Sequence, residues 1–270
     1  MTTGGSKRPG RTRNADGDTA GVRTVERGLA LLTHLAKGPG ATLSELARRA
    51  ELSVSTTYRL LETLKKHRFV EHDPERGRWY VGLGAYQVGA SYLNTNTLIG
   101  AARDEAERLV ADFNETVNVA VLDGMDVVYV QQVEGRHMIR MFTQIGARAP
   151  IHCTGVGKVL VAWRSEDDVR RLLGDGPYPA YTANTITGLG PFLLELERVR
   201  QAGYATDDEE RETGVRCIAA PIRDARGAVT AALSLSAPIT RLEGERVRQY
   251  ATRLMQAAAN VTERAGGPRT

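Results

Sequence analysis

Three groups of residues in this sequence have types and spacing suited to chemistry. Ser55, Thr56 and Arg59 fall close together along a helical pattern, where hydroxyls and a guanidinium can reach base edges or phosphates. Thr154-Gly155-Val156-Gly157-Lys158 leads into an apolar run; a glycine turn entering a helix offers free backbone N–H groups and a positive dipole end, which suit a carboxylate. It is not a phosphate-binding P-loop, because Lys158 is followed by Val159 rather than Ser or Thr. Ser234 and Ser236 alternate with Leu233 and Leu235, so on a strand both hydroxyls face one side. Cys217 begins another apolar strand, and Asp207 ends a third and heads the acidic run Asp208, Glu209, Glu210. Converging on one pocket, these groups could hold a small polar acid. Plainer readings stand beside this one: packing glycines, cross-strand hydroxyl bonds, and a cysteine that is only a small buried hydrophobe.

The elements that must position these residues can be read from periodicity and caps. A helical pattern from Val25 to Lys37 carries Val25, Leu29, Leu32 and Leu35 as an apolar stripe and stops at Gly38-Pro39-Gly40. Thr42 and Glu45 have capping-box spacing at the start of a short second helix. Ser53 is a good N-cap for a third, to about His67, with Val54, Leu61 and Leu64 expected inward and Tyr58 or Leu60 at the edge. Phe69–His72 and Arg78–Val81 flank a Pro/Gly turn and predict a β-hairpin. Three short helices and a hairpin describe a winged helix-turn-helix, whose second motif helix enters the major groove. That places Ser55, Thr56 and Arg59 at DNA, with Thr57 and Arg23 as further candidates and Arg76 and Arg78 on the wing near phosphates or the minor groove.

The remaining chain predicts an α+β body. Residues 84–97 read as a linking helix, and Leu98–Phe113 as a longer one. Strands are expected at 117–122, 127–130, 139–142, 204–207, 217–222 and 229–236, and helices at 156–163, 166–173, 191–202 and 241–263. The expected organisation is a disordered basic arm (1–21), a winged helix-turn-helix (22–83), a linker helix (84–97), an effector-binding domain (98–265) and a tail (266–270).

Composition agrees. The 270 residues suffice for two modest domains. Residues 1–82 hold 15 Lys/Arg against 9 Asp/Glu, while 83–270 hold 21 against 23. The basic excess therefore lies in the first third, as a nucleic-acid-binding front requires. No run approaches the ~18 apolar residues of a membrane span, and the polar N-terminus has no signal-peptide pattern. Two cysteines, Cys153 and Cys217, cannot build a disulfide scaffold. The expectation is a cytoplasmic protein with no membrane partner and no cofactor.

Val25-Glu26-Arg27-Gly28-Leu29-Ala30-Leu31-Leu32, Leu43-Ser44-Glu45-Leu46-Ala47 and Ser55-Thr56-Thr57-Tyr58-Arg59-Leu60-Leu61 together resemble the IclR family of bacterial transcription regulators. Gly155-Val156-Gly157-Lys158-Val159-Leu160, the segment 214–222 and the segment 231–236 are similar to that family's second half. The resemblance spans roughly residues 22–262. It implies a GAF-like effector domain with an antiparallel sheet and flanking helices, a dimer or dimer of dimers, and near-palindromic operators. Carried over motif by motif, the family's effector pocket falls on Gly155, Val156, Asp207, Cys217, Ser234 and Ser236, with apolar walls near Met138, Met141, Ala149, Val215 and Ala219. Arg140 and His152 fall at its mouth, where either could supply positive charge. The segments 157–164 and 182–187 look like the branch that regulates 2-keto-3-deoxygluconate and related sugar-acid catabolism. The function implied is a ligand-responsive transcription regulator of repressor type, of a catabolic operon, and not an enzyme.

Two other chemistries use the same residues. Cys217, His152 and Asp207 are the ingredients of a nucleophilic cysteine hydrolase, although no nucleophile motif accompanies them. His152, Cys153 and Cys217 could serve a metal-sensing regulator, although their spacing matches no common structural zinc pattern.

Overall fold

The computed structural model describes residues 22–95, 97–138 and 143–268. The expected arm at 1–21, the expected strand at 139–142 and the site candidates Arg140 and Met141 lie outside the described residues. The chain divides into two compact units, with the boundary between Ser91 and Tyr92.

The first unit begins with helix α1 (Arg23–Ala36), strand β1 (Ala41–Thr42), helix α2 (Leu43–Arg49) and helix α3 (Val54–Lys66). Strands β2 (Val70–Asp73) and β3 (Arg78–Val81) form the wing, and β1 adds to β3 in the order β1-β3-β2. The capping box is present: Glu45 N donates to Thr42 Oγ1 at 3.3 Å and Thr42 N to Glu45 Oε2 at 2.8 Å. Those bonds hold Glu45 below the usual carboxylate range. Between α2 and α3 the chain turns on Glu51, at a φ of 54°, and Leu52 N closes the turn on Ala47 O at 2.9 Å. Leu31, Leu35, Leu46, Leu61, Val70 and Trp79 form the core.

One expected helix face is rotated, and a second departs at single positions. On α1, Gly28, Leu31 and Leu35 are buried while Val25 and Leu29 are each 57% exposed. The segment carries two overlapping apolar sets at helical spacing, and periodicity alone does not choose between them. On α3, Leu61 is buried, Leu60 and Leu64 pack against the core and Tyr58 is at the edge as expected, whereas Val54 is about half exposed and Thr57 is buried.

The second unit contains the C-terminal end of helix α4 (Leu83–Thr95), then helix α5 (Thr97–Phe113) and strands β4 (Thr116–Asp123), β5 (Asp126–Val133) and β6 (Arg148–Pro150). Helices α6 (Gly155–Val161), α7 (Glu166–Leu173) and α8 (Leu189–Ala202) follow, then strands β7 (Ala205–Asp208), β8 (Val215–Arg223) and β9 (Val229–Pro238), and helix α9 (Glu245–Arg264). The six strands form one antiparallel sheet in the order β6-β5-β4-β9-β8-β7. One face packs against α5 and α9 through Leu109, Val117, Ile218, Leu233, Leu235 and Leu254. The other packs against α6 and α8 through Val127, Val156, Leu160, Phe192, Ala219 and Ala232. The fold is therefore a helix-turn-helix unit followed by a three-layer α+β unit.

Candidate functional site

In the first unit, α3 is fixed at its start by Ser53. Ser53 Oγ accepts from Thr56 N at 3.2 Å, donates to Thr56 Oγ1 at 2.8 Å and lies 3.1 Å from Ser55 Oγ. Ser55 and Arg59 are exposed and Thr56 is half-buried on the face this cap organises. Arg59 lines a groove of about 480 Å³ with Tyr58, Glu62 and Thr24 of α1. Arg23 is exposed at the start of α1. Arg76, at the wing turn, is 73% exposed in its side chain and lies 3.7 Å from Asp73.

In the second unit, strand register assembles a polar face. Asp207, Cys217, Ser236 and Thr116 are successive cross-strand partners on β7, β8, β9 and β4. The next rung holds Ala205, Ala219, Ser234, Asn118 and, on β5, Gln132. Partners share a face, so the two rungs lie side by side. Asp207, Ser234, Ser236, Thr116 and Asn118 are all buried. Cys217 Sγ donates to Ser236 Oγ at 3.1 Å.

The start of α6 lies against this face, because a Cβ added at Gly155 would meet Ala219 Cβ at 3.4 Å. Thr154 caps α6, accepting from Gly157 N at 3.2 Å and donating to Pro150 O at 2.9 Å. The cap leaves Gly155 and Val156 as first-turn N–H groups with no acceptor inside the helix. Gly157 has a steric role: a Cβ there would sit 2.3 Å from Ile151 O.

Electrostatics centre on Asp207. Burial pushes its carboxyl up to about 6, even though its Oδ1 accepts from Glu210 N at 2.8 Å and Arg211 N at 3.3 Å. Burial likewise raises Glu210, and Lys158 opposes it. Lys158, only 1% exposed, donates to Glu210 Oε1 at 2.5 Å and Thr206 O at 2.8 Å, with Glu195 Oε1 at 3.4 Å. The segment 178–187 is tied to the same turn: Thr182 Oγ1 donates to Glu209 O at 2.6 Å, Thr185 Oγ1 to Glu210 O at 2.7 Å, and Asn184 Nδ2 to Asp208 O at 3.1 Å.

Comparison with known proteins decides what this pair of sites belongs to. The family model for the bacterial transcriptional regulator IclR C-terminal region matches residues 90–263, and that for the IclR helix-turn-helix domain matches 24–74. The chain belongs to the IclR family. It is 38% identical over 254 residues to the transcriptional repressor IclR of Escherichia coli K12, covering 93% of each chain. It is 34% identical over 245 residues to the transcriptional regulator KdgR of Dickeya chrysanthemi, covering 91% of this chain and 80% of that one. The crystal structure of an IclR transcriptional regulator from Alicyclobacillus acidocaldarius superposes with a TM-score of 0.83 at 27% identity, covering 91% of this chain and all of that one. These relatives are transcription regulators rather than enzymes, and the IclR assignment rests on both halves of the chain.

Several candidates need correction within this IclR architecture. Thr57 is fully buried and its Oγ1 donates to Ser53 O at 3.0 Å, so it packs the head rather than facing DNA. Arg78 is half-buried and its Nη1 donates to Gly40 O at 3.0 Å, which pins the wing to the α1–β1 turn. Met138 is 98% exposed and meets no pocket wall among the described residues. Ala149 and Ala219 are buried in the core beside α6, and Val215 begins β8 on the same face as Cys217. His152 is not a cation at a mouth. It is 4% exposed, desolvation lowers its pKa, and Nε2 donates to Pro179 O at 2.9 Å.

The cation that sequence reading missed is Arg211, stacked 3.9 Å over Tyr181, whose charge acts on Tyr129, Cys153 and His152. Asn118 and Gln132 were missed too, and their signal was a polar residue against an apolar run; Thr116, which follows Asn114-Glu115, carried no such signal. Neither alternative chemistry gains support. Burial pushes the Cys217 thiol up to about 12, and His152 is committed to Pro179. His152, Cys153 and Cys217 do not gather into a metal-holding cluster among the described residues.

Proposed function

We propose that this chain represses a catabolic operon in response to a small carboxylate or sugar acid, acting in the cytoplasm as a dimer or dimer of dimers on a near-palindromic operator. The observation that carries the reading is the pairing of an exposed Ser/Arg helix face in one unit with a buried polar sheet face beside a helix start in the other. Ser55, Thr56 and Arg59 read base edges in the major groove, and Arg23 and Arg76 hold phosphates. Backbone N–H groups of Gly155 and Val156, with the hydroxyls of Ser234 and Ser236, receive the acid's carboxylate. Asp207 accepts from a ligand hydroxyl through the oxygen its backbone donors leave free. Val215, Ala219 and Ala149 supply apolar surroundings, and Cys217 orients Ser236 through their hydrogen bond. The effector changes DNA affinity by shifting the placement of two heads in the oligomer through residues 84–97. No helix among the described residues is long and apolar enough to cross a membrane.

The relatives' printed roles support repression, and the local likeness at 157–164 supports the sugar-acid branch. The Thr182–Thr187 run is weaker support, because Thr182 and Thr185 are used to latch the 209–210 turn. The test begins by selecting duplexes from a random library with purified protein. Fluorescence anisotropy on the winner then follows affinity as acids are added. A motif with two half-sites, and a Kd that an acid changes at fixed salt, are the expected results. Binding that no acid alters, in a protein whose melting temperature no acid raises, would remove the effector from the reading.

A further inference from the structure

The sheet of the second unit is incomplete along one edge. Strand β7 covers β8 only from Arg216 to Ala219, so β8 runs on through Pro221 and Arg223 with no strand beside it. Against that edge lies a cavity of about 210 Å³. Its lining is apolar: Trp163 past the end of α6, Gly203 at the end of α8, Pro221 of β8, and Met255 and Ala259 of α9. Gly203, at a φ of 79°, brings no side chain into it, and a Cβ there would sit 3.1 Å from Met255 Sδ. Arg223 supplies the charge in this lining.

The Arg223 guanidinium is half-buried, with its carbon 4.5 Å from the centre of the Trp163 ring. Nη1 donates to Gly227 O at 3.0 Å, and no carboxylate among the described residues pairs with this side chain. Asp224, next in the chain, is taken by its own turn, where Oδ1 accepts from Arg226 N at 2.9 Å and Ala228 N at 3.0 Å. Burial lowers the Arg223 pKa, and no neighbouring anion opposes that shift. Arg216 and Arg241, half-buried like Arg223, each hold a carboxylate, of Asp208 and Glu115 respectively. Arg223 thus keeps most of a planar donor fork, the geometry that receives a carboxylate, at the wall of an apolar cavity.

We propose that this cavity is a ligand site separate from the acid-binding face, and that it takes a small aromatic monocarboxylate, the ring against Trp163 and Met255 and the carboxylate on Arg223. A flat indole and a thioether both favour an aromatic partner. The volume is below the several hundred Å³ of a drug-sized site, which limits the ligand to one ring. A sugar acid is a poor match, because its hydroxyls find no partner here. Thr262 Oγ1 is already engaged, accepting from Arg223 N at 3.1 Å and donating to Ala258 O at 2.9 Å. The cavity lies at the C-terminal end of α6, about 9 Å along the helix from the turn at Gly155.

Isothermal titration of the full chain with benzoate and with benzamide, its uncharged counterpart, tests this. Benzoate should bind about tenfold more tightly than benzamide. Arg223→Gln should bring benzoate down to the level of benzamide. Ala259→Leu, which fills the cavity, should abolish binding of both. Ser236→Ala, on the acid-binding face, should leave benzoate within about twofold. No benzoate binding, equal binding of benzamide, or benzoate binding that either cavity variant leaves intact would overturn the proposal. Loss in Ser236→Ala alone would place benzoate on the acid-binding face instead. The benzoate and benzamide comparison needs no variant, and Arg223→Gln decides the matter if Ala259→Leu does not fold. Failure here leaves the acid-binding reading standing, because neither Arg223 nor Ala259 has a part in it.

Discussion

On α3 of the first unit, Ser55 and Arg59 stand in solvent and are ordered by a cap two residues upstream of Ser55. On the sheet of the second unit, Asp207, Cys217, Ser236 and Thr116 come from four different strands, and three of them are buried. The first arrangement can vary side chain by side chain at little structural cost. In the second, every polar group is also part of a core, so a substitution there is a stability event before it is a binding event. The following experiments break or sharpen that contrast.

The largest effect belongs to Lys158. Replacing it with Met strands Glu210 and Glu195, whose side chains are 9% and 16% exposed. The expected loss is about 3–5 kcal/mol, the usual result of removing one partner of a buried pair. Urea unfolding checks it, with each unit followed by its own tryptophan: Trp163 after Trp79→Phe, and Trp79 after Trp163→Phe. Only the Trp163 transition should move, and adding Glu210→Gln to Lys158→Met should recover part of the loss. A shift of both transitions would show that the two units do not unfold independently.

Asp207 comes next. Its folded-state pKa of about 6 lies above the ordinary 3.8, so the folded protein holds this proton more tightly than the unfolded chain. Stability from this group is therefore present at low pH and falls as pH rises from about 4 to beyond 6. Asp207→Asn keeps the oxygen that accepts from Glu210 and Arg211. It should raise stability at pH 7 by about 2–3 kcal/mol and leave it unchanged below pH 4. Binding of an anionic acid that lacks a hydroxyl should weaken as pH rises through about 6, where the folded-state carboxyl ionises, and become flat in Asp207→Asn. A pH-independent wild-type affinity would separate Asp207 from the ligand.

The same contrast explains what was legible in the sequence. Local signals carried the head: the Thr42–Glu45 box, the Ser53 cap and the Pro/Gly wing turn each lie within a few residues and each is present. The burial of Thr57 on α3 escaped because Thr57 reads as polar, yet its hydroxyl is satisfied by Ser53 O and can be buried. In the body, alternation in 231–236 placed both serines on one face. It could not show that Asn118 and Gln132 continue the rung of Ser234, since strand order is a long-range property. Strand β6 is three residues long and carries no periodicity to read.

For the proposed DNA contacts the expected effects are smaller and touch binding alone. Arg59→Ala should cost about 1–3 kcal/mol on the selected duplex and relax one base position. Arg76→Ala should weaken all sequences alike and lower the salt slope by about one. Neither should change unfolding, because both side chains are exposed. Anisotropy over a salt series on matched and mutated duplexes separates the two roles. A uniform loss for Arg59→Ala would make it a phosphate contact.

Ser53 gives the smallest effect and the finest division between holding a site and being one. Ser53→Ala removes the acceptor for Thr56 N and should cost the Trp79 transition about 1 kcal/mol. It also frees the hydroxyls of Ser55 and Thr56, so DNA binding should weaken although Ser53 reads no base. Ser53→Asp restores an acceptor at the cap, and stability should return with it. Binding should not return, because a carboxylate then stands beside phosphates. Thr154 offers the matching experiment in the body, since its hydroxyl caps α6 while 4% exposed and also donates to Pro150 O. Thr154→Ala must therefore cost more than Ser53→Ala, because it leaves buried groups without partners where the head variant leaves them to water. Equal costs would mean that the buried face is no more tightly determined than the exposed one.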